Sequence, residues 1–325
     1  MPFIQPPVTP LPAGIDLSGQ TALVTGANTG IGLEISKQLL ARNLSTLILA
    51  VRSPSKGEAV RAQLIAEYPS AKIELVRLDA ENYSSVQEFI TEVQSTFTEL
   101  HILMLNAGIG TLQRELASSK HEKNLQVNYL SNVLITFGLL PLLESTSAKT
   151  GKPSRITWTG SRSLNKSDLV TGKSHLTSNQ SILQHMDGRE VPYERYGNSK
   201  LLVAMFLDEL SQRYSPDKVI MNNFCPGMVK TTMSDVLPIY FRIPMKGMLA
   251  LRGRSVETAG WIALNAAVVA GEETHGKLLG DKTIVEPNAF LKSEDGKRVQ
   301  KLAWEETMAE IGTFTGLPSW VGSLL

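Results

Sequence analysis

Tyr196 and Lys200 stand four residues apart in Tyr196-Gly197-Asn198-Ser199-Lys200. In a helix this spacing puts both side chains on one face. A phenol with an ordinary pKa of ~10 is a poor acid–base group at neutral pH. A neighbouring ammonium favours the phenolate, so the pair can move a proton to and from a substrate oxygen. Tyr–Lys pairs also occur as plain surface chemistry, and the elements around them decide between the two. A second group is the run Thr25-Gly26-Ala27-Asn28-Thr29-Gly30-Ile31-Gly32. Its glycines allow a tight turn and a close backbone approach. A helix starting there would offer free N–H groups to an anion such as a pyrophosphate. A structural turn alone would also use glycine.

A third group follows at Ala50-Val51-Arg52-Ser53-Pro54-Ser55-Lys56, with no carboxylate before Glu58. In dinucleotide folds an acid about 20 residues past the glycine loop bonds the ribose 2′-hydroxyl of NAD. Here the planar donor fork of Arg52 and the charge of Lys56 suit a 2′-phosphate, which points to NADP(H). The other reading is two solvated loop charges. Cys225 has no basic neighbour in sequence and reads as a packing residue. The five histidines show no metal-ligand spacing, so no metal is expected.

These groups need elements to position them. Continuous apolar runs predict strands at Thr21–Thr25, Thr46–Val51, Lys72–Arg77, His101–Leu105, Arg155–Thr159, Val219–Phe224 and Lys277–Val285. Helical spacing covers Ile31–Arg42, Pro54–Glu67, Ser84–Phe97, about Glu122–Leu140, and Arg195–Tyr214. Buried strands alternating with helices predict an α/β fold: a single Rossmann-type, doubly wound parallel sheet with helices on both faces. The glycine run falls at the first strand–helix turn, which is the context that gives it meaning.

The composition excludes other classes. Lys+Arg total 32 against Asp+Glu 31, so the net charge of +1 gives no general reason to bind nucleic acid. A hydrophobic fraction of 42% argues against disorder, and a single cysteine against a disulfide scaffold. No apolar run approaches the ~18–20 residues of a membrane span, and the start of the chain has no signal-peptide pattern. The expectation is a cytoplasmic protein.

The glycine spacing T-G-x-x-x-G-x-G resembles the short-chain dehydrogenase/reductase family. Asp79-Ala80 after the third strand, Asn106-Ala107-Gly108 after the fourth, the Y-x-x-x-K of Tyr196 and Lys200, and Pro226-Gly227 with Val229 and Thr231 fall in the same order as that family's motifs. The resemblance implies an oxidoreductase that passes a hydride between nicotinamide and a carbonyl or secondary alcohol. It implies Asn128, Ser161, Tyr196 and Lys200 as the catalytic group. Ser161 would bond the substrate oxygen, and Asn128 would hold a water in a proton relay to Lys200. Ser163 is a weaker match for the serine, and Asn132 is expected to be structural. Gly26, Asn28, Thr29, Gly30, Ile31 and Gly32 would cradle the pyrophosphate. Arg52 and Lys56 would take the 2′-phosphate, Asp79 and Ala80 the adenine, and Asn106 to Gly108 would line the cofactor. Val229 and Thr231 would fix the carboxamide. Within the family the chain is most similar to retinol-dehydrogenase-like and fungal natural-product reductases. A dehydratase, an epimerase or an NADP-binding scaffold of the same fold stays open.

Three segments exceed the basic pattern. Residues 1–18 hold five prolines in the first twelve positions and predict an extended arm, read as a surface tail or a strap across a partner subunit. Its removal over residues 2–12 is expected to leave activity intact. The remaining chain, 19–325, is expected to be one domain. It carries an insert at about 164–192 and a substrate lid at about 228–255. The lid holds Met228, Met233, Leu237, Ile239, Tyr240, Phe241, Ile243, Met245, Met248 and Leu249, which suit a bulky apolar small molecule. It also holds Arg242, Lys246, Arg252 and Arg254 without an acid between Asp235 and Glu257, so peripheral membrane contact or plain packing are further readings. In many resembling proteins the helices at Glu122–Leu140 and Arg195–Tyr214 pair subunits, which implies a homodimer or homotetramer.

Overall fold

The apolar runs become strands of one sheet because each presents alternate residues to two separate cores. The strands are β1 (Thr21–Thr25), β2 (Thr46–Val51), β3 (Lys72–Arg77), β4 (Ile102–Leu105), β5 (Ser154–Thr159), β6 (Val219–Cys225), β7 (Leu278–Gly280) and β8 (Thr283–Ile284). Their order is β3-β2-β1-β4-β5-β6-β7-β8, and all neighbours from β3 to β7 are parallel. Leu23, Ile48, Leu103 and Ile156 point into one core, and Ala22, Leu47, Leu49 and Met104 into the other. The chain is a computed structural model that describes residues 5–177, 179–188, 194–231 and 239–322.

The longer helices are α1 (Gly30–Leu40), α2 (Pro54–Glu67), α3 (Tyr83–Thr96), α4 (Lys123–Thr150), α5 (Arg195–Ser211), α6 (Ile239–Arg252), α7 (Val256–Leu264) and α8 (Glu294–Ile311). One core takes Ile35 and Leu39 of α1 with Ile262 of α7. The other takes α3, α4, α5 and α8, where Trp158, Phe206 and Trp304 lie ring against ring. Among the described residues α4 alone is long and apolar enough to cross a membrane, but 89% of its apolar window is buried inside the protein. It is a core helix here.

Two elements differ from expectation. Lys277–Val285 is not one strand. It turns at Asp281 (φ 54°) and Lys282 (φ 69°), and β8 returns antiparallel to β7. Two consecutive left-handed residues form the tight hairpin turn whose twist matches paired strands. The helix expected to end at Leu140 continues through Pro141 to Thr150, because Leu143, Thr146 and Ser147 beyond the proline are still buried against the sheet. The same helix widens into a π turn over Gln126–Leu130.

The proline arm forms no helix or strand over residues 5–18, turns at Ala13-Gly14 and Ser18-Gly19, and lies against its own chain. Leu11 and Leu17 are buried in the α1 core, and Lys282 donates to the carbonyls of Thr9 and Pro10. In the insert, Arg162–Lys166 forms a 3-10 turn, followed by short helices at Asp168–Thr171 and Ile182–Asp187. Residue 178 and residues 189–193 of that region lie outside the described residues. So do 232–238 of the expected lid, including Met233, Asp235 and Leu237.

Candidate active site

The expected site residues gather at the carboxyl ends of β1, β4, β5 and β6, where ligands bind in doubly wound sheets. β1 runs straight into the glycine turn, and Gly30 (φ 56°) opens α1. The Thr29 side chain makes no capping bond at that helix start, and the first turn carries no acid. The N–H groups and positive helix end are therefore left for an anion. Thr231, 201 residues downstream of Gly30, has its Cγ2 3.7 Å from where a Gly30 Cβ would be. The segment after β6 thus folds back over the glycine turn.

Asn106 ties this turn to the rest of the site. Its Nδ2 donates to Thr25 O at 3.0 Å, and its Oδ1 accepts from the Thr159 hydroxyl at 3.3 Å. Thr25 Oγ1 accepts from the backbone N–H groups of Asn106 and Ala107. Thr159 O in turn receives Lys200 Nζ at 2.7 Å. Lys200 is 4% exposed, and its ammonium lies 5.6 Å from the centre of the Tyr196 ring. The Tyr196 hydroxyl lies near Ser161, whose influence lowers its pKa, and its ring lies against Gly110 in the loop after β4. Tyr196, Ser161 and Lys200 are therefore one cluster.

Ser161 caps the 3-10 turn: its Oγ accepts from Ser163 N at 3.1 Å. The neighbouring Gly160 stands where the resembled family often has a first serine. Here a Cβ at Gly160 would overlap Asn223 Oδ1, so an asparagine of β6 fills that side-chain space. Ser163 contributes its backbone N–H to Ser161, a positioning contact.

Asn128 sits in the π turn of α4, a distortion frequent at functional sites. It is fully buried, and its side chain bonds Ile109 and Ser199. Its Oδ1 accepts from Ile109 N at 2.8 Å. Its Nδ2 donates to Ile109 O at 2.9 Å and to Ser199 Oγ at 3.0 Å. It thus fixes the loop that follows Asn106-Ala107-Gly108 to helix α5, a role the sequence reading did not include. Asn132 donates to the carbonyls of Val127 and Asn128 within its own helix.

The protonation states differ from the expectation of a lowered phenol. Burial pushes Tyr196 up to about 12, and the influence of the nearby Ser161 pulls only partly the other way. Burial brings Lys200 down to about 8. Cys225 approaches both groups and accepts from Arg162 N at 3.2 Å. Without an added positive charge, the phenol keeps its proton at neutral pH, and Lys200 beside it is still an ammonium.

Arg52 is exposed at the end of β2 and donates to Glu81 Oε1 at 2.6 Å. Glu81 also pairs with Lys123. This acid comes from the loop after Asp79 and Ala80, 29 residues from Arg52, so no pattern local to β2 marks it. Lys56 is exposed in the first turn of α2. Asp79 Oδ1 accepts from Glu81 N, which shapes that same loop. On α6, Ile239, Tyr240, Ile243 and Leu251 are exposed apolar side chains.

Known proteins are similar to this chain in sequence and in fold. The short chain dehydrogenase family model matches residues 20–162. Short chain dehydrogenase macD of Penicillium terrestre is 48% identical over 325 residues, covering 98% of each chain. Short-chain dehydrogenase/reductase tropG of Talaromyces stipitatus is 47% identical over 324 residues, covering 97% of this chain and 98% of its own. Among solved structures, the Pseudomonas aeruginosa RhlG/NADP active-site complex superposes with a TM-score of 0.63 at 20% identity, over 83% of this chain and 97% of that one. A 3-oxoacyl (acyl-carrier-protein) reductase from Agrobacterium tumefaciens with NADP bound gives 0.60 at 21% identity, over 82% and 94%. The two structures share the fold. The relatives share the chain almost from end to end, and with them this protein belongs to the short-chain dehydrogenase/reductase family of oxidoreductases.

Proposed function

We propose that the protein is an NADP(H)-dependent carbonyl reductase or alcohol dehydrogenase. Its substrate is a bulky apolar metabolite, and the fungal relatives agree with a place in secondary metabolism. The observation that carries this reading is the meeting of Tyr196, Ser161 and Lys200 beside the glycine turn. The turn fits a pyrophosphate, since α1 begins with uncapped N–H groups and no acid. Bound nicotinamide supplies the hydride donor or acceptor. In the reductive direction Ser161 donates a hydrogen bond to the carbonyl oxygen and stabilises the charge that develops there. Tyr196 gives that oxygen its proton, and Lys200 holds the phenol's surroundings positive as the proton leaves. The exposed apolar side chains of α6 support an apolar substrate under a lid at 228–255.

The pairing of Arg52 with Glu81 does not oppose NADP(H). An exposed ion pair is worth about 0–1 kcal/mol. A charge-assisted bond from guanidinium to phosphate contributes about 1.5–3 kcal/mol and can displace it. Arg52→Ala is therefore expected to weaken NADPH roughly ten- to a hundredfold while leaving NADH almost unchanged. The test is a panel of ketones and alcohols followed at the nicotinamide absorbance with both cofactors. Equal loss for both would mean that the 2′-phosphate is read elsewhere.

The pH dependence has a definite sign. Lys200 carries its charge below about 8 and loses it above. Tyr196 keeps its proton until about 12. Hence kcat/KM for NADPH in carbonyl reduction should fall as pH rises through about 8, by up to about tenfold per pH unit. The measurement is that parameter across the alkaline range, and Lys200→Met should remove the inflection. A flat profile in the unaltered protein would contradict the role given to the ammonium.

A further inference from the structure

The two stems of the segment 228–255 leave the body side by side. Arg254 N donates to Met228 O at 2.8 Å, and Lys230 N donates to Arg254 O at 3.0 Å. Into this junction the arm inserts one side chain. Gln5 Oε1 accepts from Met228 N at 2.8 Å. Gln5 Nε2 donates to Met228 O at 2.9 Å and to Arg252 O at 2.7 Å. One carboxamide thus bonds the outgoing and the returning stem at once. It also fills the space beside Gly227, where a Cβ would overlap its oxygen.

A second residue reinforces the same point. Arg254 is buried, and its guanidinium donates to Pro6 O at 2.9 Å and to Pro226 O at 3.4 Å. It pairs with Asp281 in the β7–β8 turn. Asp281 also holds Arg162 at 3.0 Å, the residue next to Ser161. Arm, lid stems, hairpin and serine turn therefore meet in one network. Lys282 holds the arm at Thr9 and Pro10.

We propose that Gln5 is a positioning residue, which sets the lid stems and the Met228-Val229 backbone where the cofactor's nicotinamide end is bound. The inference rests on the NADP(H) and lid reading given above. It replaces the expectation that the arm can be removed without effect. Three hydrogen bonds at a partly exposed junction, each of modest net worth, would together alter binding about tenfold.

The test compares full-length Gln5→Met with the unaltered protein and with Pro7→Ala, a control at an exposed arm position. NADPH affinity is read by fluorescence titration. Limited trypsin digestion, with fragments identified by mass, reads cleavage after Arg242, Lys246 and Arg252. Gln5→Met should weaken NADPH about tenfold and speed those cleavages by a similar factor, with the melting temperature held and Pro7→Ala unchanged. With a turned-over ketone in hand, KM should rise and kcat should change little. Unaltered affinity and cleavage in Gln5→Met would overturn the proposal. If Gln5→Met melts early, Lys282→Met with normal melting, NADPH affinity and digestion would confine the effect to the Gln5 junction, whereas a matching loss in Pro7→Ala would reduce it to arm folding and overturn it. If the unaltered protein does not bind NADPH, the cofactor reading fails, and the digestion still decides the role of Gln5.

Discussion

Tyr196→Phe should lower hydride transfer by at least about a thousandfold while NADPH still binds. The substitution removes one oxygen and keeps the ring. The contact with Gly110 and the position of the ring 5.6 Å from Lys200 Nζ would remain. Lys200 would still donate to Thr159 O, and Asn128 would still hold the loop after β4 through Ile109. What is lost is the phenolic proton beside Ser161. A structural role would show in the melting temperature and in cofactor affinity, and both should stay near those of the unaltered protein. Steady-state rates and a fluorescence titration with NADPH make the comparison. Substantial residual transfer would sink the assignment of Tyr196 as proton donor.

Gly32→Ala should be the most damaging single change outside that cluster. A Cβ there would overlap Gly26 O and come within 2.6 Å of Asn106 Nδ2. Neither can yield cheaply. Gly26 O is backbone, and Asn106 is bonded both to Thr25 O and to Thr159. Forcing a methyl group into such packing costs about 1–3 kcal/mol. The strain would act on the turn that cradles the pyrophosphate. NADPH affinity should therefore fall by about a hundredfold, with a lower melting temperature. Affinity and melting both near normal would show that α1 is free to move away from the turn.

Much of this site could be read along the chain because its parts have local signatures. Strands β1 to β6 are short apolar runs, and the glycine turn follows the first of them. Tyr196 and Lys200 share a helical face at a fixed spacing. Other parts have no local signature. Gln5 contacts residues 223 and 247 positions away, and no pattern near residue 5 marks them. Glu81 reaches Arg52 across 29 residues through parallel pairing of β2 with β3. The hairpin at Asp281 was legible in principle, since Gly280-Asp281-Lys282 is turn-forming, but the apolar residues on either side mask it. The raised phenol of Tyr196 follows from burial, which a sequence reading of charge alone does not weigh.

The contact between Gln5 and Arg252 also sets an order in time. A ribosome adds roughly 5–20 residues per second. Arg252 is 247 residues behind Gln5, so the arm waits roughly 12–50 s for the second of its partners to be made. Its prolines keep it extended and unable to enter a wrong helix or a sheet interior during that delay. The arm can make this contact only after the residues of β1 to β6 have all been synthesised. It is a late latch, so misassembly there would leave β1 to β6 intact and the lid stems unset.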